Sequence, residues 1–258
     1  MIARLSRVMW QLVLGCLLVA GCSKVSDQNP VEKAGNVNIY GTLQRMMHDN
    51  RTAAVVQLDQ LLPSDQLFGL GALSELRGEI TILGGQTVLS YSAGDDSIHA
   101  VLVTESEEGA ALLVTAKVVT WKPTTTPGEI IFEKLDERIA ELAARAGVDT
   151  DLPFPFMVLG RVTGLKYHVV DGERLAKGSH SREEHLAAAI KRSLPNTTIT
   201  LLGFYSEHHQ GIFTHQGSKT HIHCFRDDPP VSGHVDDVTL PAGTIIMFPV
   251  FAESPPAD

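Results

Sequence analysis

This chain has too few cysteines to hold itself together covalently. Of the three in 258 residues, Cys16 lies inside an N-terminal apolar run and Cys22 directly behind it, which leaves Cys224 without a partner. No internal disulfide is available, so the fold must rest on its core despite the oxidising compartment implied below. A hydrophobic fraction of 43% over this length is ample for one large domain or two small ones. Positive charge is also short: 21 Lys and Arg against 30 Asp and Glu give a net charge of −9. With no basic stripe and no recognition-helix pattern, nucleic acid is excluded as the main partner. Aromatic residues are scarce, whereas 22 glycines and 13 prolines suit a turn-rich fold. There is no P-loop, no dinucleotide fingerprint and no Ser-His-Asp signature.

The N-terminus carries an address. Arg4 and Arg7 precede an apolar run over residues 8–20, too short for a comfortable membrane span. The run ends Leu18-Val19-Ala20-Gly21-Cys22, which resembles the bacterial lipoprotein signal, where the cysteine becomes the lipidated first residue. Residues 1–21 are therefore expected to be a removed signal peptide and residues 22–36 a tether. The mature protein would be exported and anchored to a membrane through lipid on Cys22. An uncleaved helical anchor is the alternative.

Along the body of the chain, residues 37–62 show helical spacing of Leu43, Met46 and Met47, ended by Pro63-Ser64. Phe68-Gly69-Leu70-Gly71-Ala72-Leu73 leads into a strand over 76–83, and Gly84-Gly85 turns it into a second strand over 87–91. Further β-rich runs cover 98–104 and 111–120. Residues 129–146 read as an amphipathic helix, with Ile131, Leu135, Ile139 and Leu142 on one face and Gly147 beyond its end. After Pro153 and Pro155 come strands over 156–162 and 165–170 with a turn at Thr163-Gly164, then a charged helix over 182–193. Strands over 197–205, 219–225, 234–240 and 244–250 complete the chain. This order predicts an α+β fold: two similar halves of mixed or antiparallel sheet with flanking helices, 37–150 and 151–258, divided near residues 149–155.

The chemistry-bearing stretch is His221-Ile222-His223, with His234 eleven residues further on. Alternate side chains of a strand share a face, so His221 and His223 project together while Ile222 and Cys224 point away. Asp227-Asp228-Pro229-Pro230 and Ser232-Gly233 read as a turn and return that brings a third imidazole to the first two. Three neutral imidazoles with no fourth protein ligand are what a catalytic zinc site uses. His208, His209 and His215 read more simply as residues of a solvated loop, and Cys224 as a small core residue.

Three pieces of the chain together resemble the bacterial alpha-acetolactate decarboxylase family: Phe68-Gly69-Leu70-Gly71 followed by Leu76-Arg77-Gly78-Glu79; Gly203-Phe204 followed by Gly211-Ile212; and His221-Ile222-His223 followed by Ser232-Gly233-His234-Val235. The resemblance covers most of residues 38–250, and the histidine segment is its most specific part. It implies a metal-dependent carbon–carbon lyase that converts 2-acetolactate, or a similar 2-hydroxy-3-oxo acid, to acetoin and carbon dioxide. It further implies Zn²⁺ on His221, His223 and His234, with Glu79 handling the proton. Arg174, or failing that Arg161, would stand for the family's active-site arginine, and Glu253 for a glutamate of its C-terminal tail. Ala72 departs from the pattern, because the family carries a threonine there.

Rival readings remain. A cupin-type barrel also begins with His-x-His and has a Pro-x-Gly turn like Pro241-Ala242-Gly243, but residues 244–248 lack the histidine it needs. A non-catalytic metal-binding lipoprotein and a three-histidine zinc hydrolase or hydratase both fit the ligand set. A homodimer is left open.

Overall fold

Alternating burial, the signature of strands with a face on a core, runs through most of residues 32–176 and 181–251, which the computed structural model describes. The expected signal peptide, Cys22 and Glu253 lie outside those residues. The first sheet comprises β1 (Glu32–Ala34), β2 (Val37–Tyr40), β3 (Val56–Gln57), β4 (Leu67–Leu73), β5 (Gly78–Leu83), β6 (Gln86–Ala93), β7 (Ser97–Val103) and β8 (Gly109–Lys117). Its order is β1-β2-β8-β4-β5-β6-β7, with β3 also on β8, and every pairing is antiparallel.

Two expectations fail at its start. The helix expected over 37–62 shrinks to α1 (Leu43–Met47), because Val37 and Ile39 alternate inward as part of β2 and pair with β8. Residues 32–34, expected to belong to a tether, instead pair with β2 as β1. The glycine-rich run 67–73 is itself a central strand. It sends Phe68, Leu70 and Ala72 to one core and Leu67 and Leu73 to another, so both faces are buried. Gly84 and Gly85, at φ 55° and 84°, make the expected hairpin turn between β5 and β6, where left-handed backbone is nearly free only for glycine.

The second sheet comprises β9 (Thr120–Thr125), β10 (Phe154–Val169), β11 (Ile190–Tyr205), β12 (Thr220–Asp227), β13 (Pro230–Thr239) and β14 (Ile245–Val250), in the order β11-β12-β13-β10-β14-β9. Because β11 also pairs with β10, strands β10 to β13 form a closed circuit. α2 (Leu135–Ala146) buries Leu135, Ile139, Leu142 and Ala143 in this unit's core, and Gly147 ends it at φ 91°. α3 (Arg182–Ala188) starts at a Ser181/Glu184 capping box. It stops five residues before the expected end, because Ile190 begins pairing with Val169. The hairpin expected at Thr163-Gly164 is absent, since β10 continues through Gly164 at the level of Pro195 in β11.

Sheet membership changes between β8 and β9, near residues 118–119, about thirty residues before the expected division. The reason is that β9 completes the second sheet by pairing with β14, and α2 packs on that sheet. The two sheets meet through a shared core in which Phe68, Leu70 and Ala72 face Met157, Leu202, Phe204 and Phe213. On β5, Ile80 and Ile82 point to the outer core, so alternation turns Glu79 and Thr81 toward the second sheet.

Candidate metal centre and active site

On β12, Ile222 and Cys224 enter the second unit's core, as alternation requires, and His221 and His223 take the other face. The return through 228–229 sets β13 antiparallel to β12 with His223 opposite His234. All three imidazoles are at least nine-tenths buried. Each offers one ring nitrogen, and these three atoms lie within 4.8 Å of one another.

Hydrogen bonds fix how these rings are presented. His221 Nδ1 lies 2.8 Å from the Phe213 carbonyl oxygen; only the ring nitrogen can donate, so Nε2 keeps its lone pair. His223 Nδ1 is 2.9 Å from Thr81 Oγ1, which is 2.6 Å from Ser232 Oγ. Thr81 can accept from the ring while donating to Ser232, which again leaves Nε2 bare. That His223 Nε2 is buried with no hydrogen-bond partner. A buried nitrogen lone pair without a donor is costly, and a cation between the rings would satisfy it. Burial, then the neighbouring rings, holds His221 and His234 well below the ordinary histidine pKa. Burial lowers His223 to about 3. All three are therefore neutral, the form that ligates metal, and the donor set fits a divalent ion such as zinc.

Glu79 stands beside them. Its Oε2 is 3.6 Å from His223 Nε2, and its Oε1 accepts from the Val170 N–H at 3.2 Å. Burial raises its pKa to about 8, against the lowering effect of that hydrogen bond. It is therefore mainly a carboxylic acid at neutral pH. Glu79, His221 and His234 open onto one pocket whose apolar wall comes from Leu43, Met46 and Met47 of α1. At about 70 Å³ it exceeds several-fold the roughly 10–15 Å³ a single water requires, which suits a small substrate.

Ala72 lines this pocket and is opposite Glu79 in the β4–β5 register, so a methyl group faces the site where a hydroxyl was expected from the resemblance. Arg174 is not among the lining residues. Its Nη1 is 2.6 Å from Asp96 Oδ1 and its Nε 2.9 Å from Asp171 Oδ2, which ties the end of β10 to the β6–β7 turn. Arg161 is exposed on β10, opposite Thr198. The arginine that does line the pocket is Arg182, at the start of α3.

Sequence reasoning missed His168 altogether. It is 8% exposed, lies opposite His234 on β10 with ring centroids 4.9 Å apart, and bonds both oxygens of Asp236 at 2.9 Å through Nδ1. The alternation of Leu165 and Tyr167 into the core was its only signal, because it left His168 on the opposite face. The solvated-loop reading also fails for two histidines. His215 lines the pocket with its ring 5.4 Å from His234, and burial lowers its pKa to about 4. His209 bonds Ser206 at 2.6 Å and stacks on Phe213, the residue whose carbonyl orients His221. His208 is exposed, as expected.

The sequence model of the alpha-acetolactate decarboxylase family matches residues 39–251. Alpha-acetolactate decarboxylase from Bacillus subtilis strain 168 superimposes with a TM-score of 0.63 at 16% identity, over 83% of this chain and 85% of that one. A Staphylococcus aureus protein of unknown function, described as similar to alpha-acetolactate decarboxylase, gives a TM-score of 0.62 at 15% identity, over 83% and 85%. No curated protein matches by sequence. These structural likenesses establish the two-sheet fold.

Proposed function

The chain belongs to the alpha-acetolactate decarboxylase family, and from that premise we propose that it is a zinc-dependent carbon–carbon lyase taking 2-acetolactate, or a similar 2-hydroxy-3-oxo acid, to acetoin and carbon dioxide. One observation carries the reading: a buried carboxylic acid, Glu79, lies 3.6 Å from His223 and shares a pocket with His221 and His234, the other two of three mutually facing imidazoles. Zinc would be held by His221, His223 and His234 and would supply Lewis-acid stabilisation of negative charge developing on the substrate's hydroxyl and ketone oxygens.

The chain's own groups do the rest. Loss of carbon dioxide leaves the electron pair of the broken bond on the neighbouring carbon, delocalised into the ketone as an enediolate. Glu79, buried at the site, donates its proton to that carbon and is left as carboxylate. Hydrogen bonding from Val170 to Oε1 holds the carboxyl group in place through this change. Arg182 and the Asp236-supported His168 provide polar contacts for the substrate's charged end, and the α1 wall keeps water from the reacting carbon. Arg174, engaged by two aspartates, and Glu253 are not needed in this scheme.

The test is turnover of acetolactate by the zinc-loaded protein, following acetoin and carbon dioxide together. Ala72 favours one rival, a metal-binding protein without turnover, because a methyl group there offers no hydrogen bond. Stoichiometric zinc with no product would establish that rival, and turnover of esters or hydration of carbonyls instead would favour a zinc hydrolase or hydratase. On the sequence alone, we further propose export and membrane anchoring through lipid on Cys22.

A further inference from the structure

On the far side of α1 from the histidine pocket lies a second cleft, of about 670 Å³, that shares no lining residue with it. Arg45 lines this cleft and is only 9% exposed. Among the described residues its guanidinium has no partner: Nε and Nη1 are buried without a hydrogen bond, and no carboxylate forms an ion pair with it. Its hydrogen bonds are made by the backbone alone, from its N–H to Thr42 Oγ1 and from Arg51 N–H to its carbonyl. Burying an uncompensated charge is strongly unfavourable. Arginine, unlike lysine or histidine, cannot escape that cost by losing a proton.

The rest of the cleft mixes the small apolar side chains of residues 53–56 with polar groups whose charge is net positive. Arg51 and Thr52 line it together with Gln57 and Gln60. Among the described residues the single acid lining the cleft, Glu75, accepts the Thr52 hydroxyl at 2.8 Å and forms no ion pair with either arginine. Two guanidinium groups against one carboxylate form a local positive site on a chain of net charge −9. A planar guanidinium fork matches an oxyanion with two coplanar oxygens. We propose that this cleft is a second binding site, for a small oxyanion of the carboxylate or phosphate type, with Arg45 as its counter-charge and Arg51 as its rim contact. The inference stands apart from the lyase reading and does not depend on it.

The test uses the full-length, zinc-loaded protein with inorganic phosphate and with succinate as probes, and sodium chloride at equal ionic strength as control. Isothermal titration should give saturable binding of at least one probe, and thermal unfolding should shift upward by a few degrees with that probe and not with chloride. Preference for phosphate or for succinate identifies the natural class. Arg45→Met should abolish both responses and, in the absence of anion, melt no lower than wild type, because it removes an unpaired buried charge. Should that variant not fold, Arg51→Gln, at an exposed position, should weaken binding several-fold. An unchanged response in Arg45→Met would place the anion at the histidine centre instead, and that would overturn the proposal. So would a wild type indifferent to both probes.

Discussion

Replacing Glu79 by glutamine should push activity and stability in opposite directions. Glutamine retains the size of the side chain, and its Oε1 can still accept from Val170 N–H. Its amide can donate to the orphaned Nε2 of His223, which lies 3.6 Å from Oε2 in the native protein. It cannot deliver a proton, so turnover should fall by about 10²–10⁴-fold while metal content stays unchanged. The stability effect follows from the carboxyl pKa, raised by burial from 4.5 to about 8. The folded state therefore holds this proton more tightly than the unfolded chain. Stability from this group is fully present below pH 4.5 and is lost as the pH rises toward about 8. At pH 7 the wild type has given up on the order of 3 kcal/mol, and the glutamine variant gives up none. In metal-free protein Glu79→Gln should thus melt higher at pH 7, by roughly 6–12 °C for a chain of this size, with the gap closing near pH 4. Calorimetry across that range, run beside an acetoin assay, measures both effects. A variant as active as wild type would mean the proton comes from elsewhere. A melting difference that does not change between pH 4 and 8 would refute the burial argument itself.

Other outcomes follow from the same geometry. His223→Ala should reduce zinc, by elemental analysis, to well under one equivalent per chain, and full retention would count against the three-histidine site. Thr81→Val removes the hydroxyl that bridges His223 Nδ1 and Ser232 at 2.9 and 2.6 Å. It should weaken metal affinity by about 10–100-fold, read by competition with a chromophoric chelator, and unaltered affinity would show that the ring needs no such support. Cys22→Ala should abolish lipid labelling and leave the precursor uncleaved, and normal labelling of that variant would sink the anchoring proposal.

Part of this protein was readable before any coordinates. Strict two-residue alternation put His221 and His223 on one face and Ile222 with Cys224 on the other, and the structure places them so. Turn residues carried the Gly84-Gly85 hairpin and the return that sets His234 opposite His223. The periodicity of Leu135, Ile139 and Leu142 gave α2 and its glycine stop. These features are local: a few neighbouring side chains and φ preferences decide them.

Long-range pairing decided the rest. Residues 37–40 have the composition of either a helix or a strand, and the open edge of β8 made them a strand. The change of sheet near residues 118–119 left no mark in composition, because it depends on β9 finding β14 more than a hundred residues later. The same physics governs the site. The sequence by itself determined which imidazoles share a face. Only the tertiary structure brought Glu79 of one sheet to within 3.6 Å of His223 on the other, set His168 against His234, and turned Arg174 away to Asp96 and Asp171. A strand fixes the direction of its own side chains, but what they face is set by the packing of a second sheet.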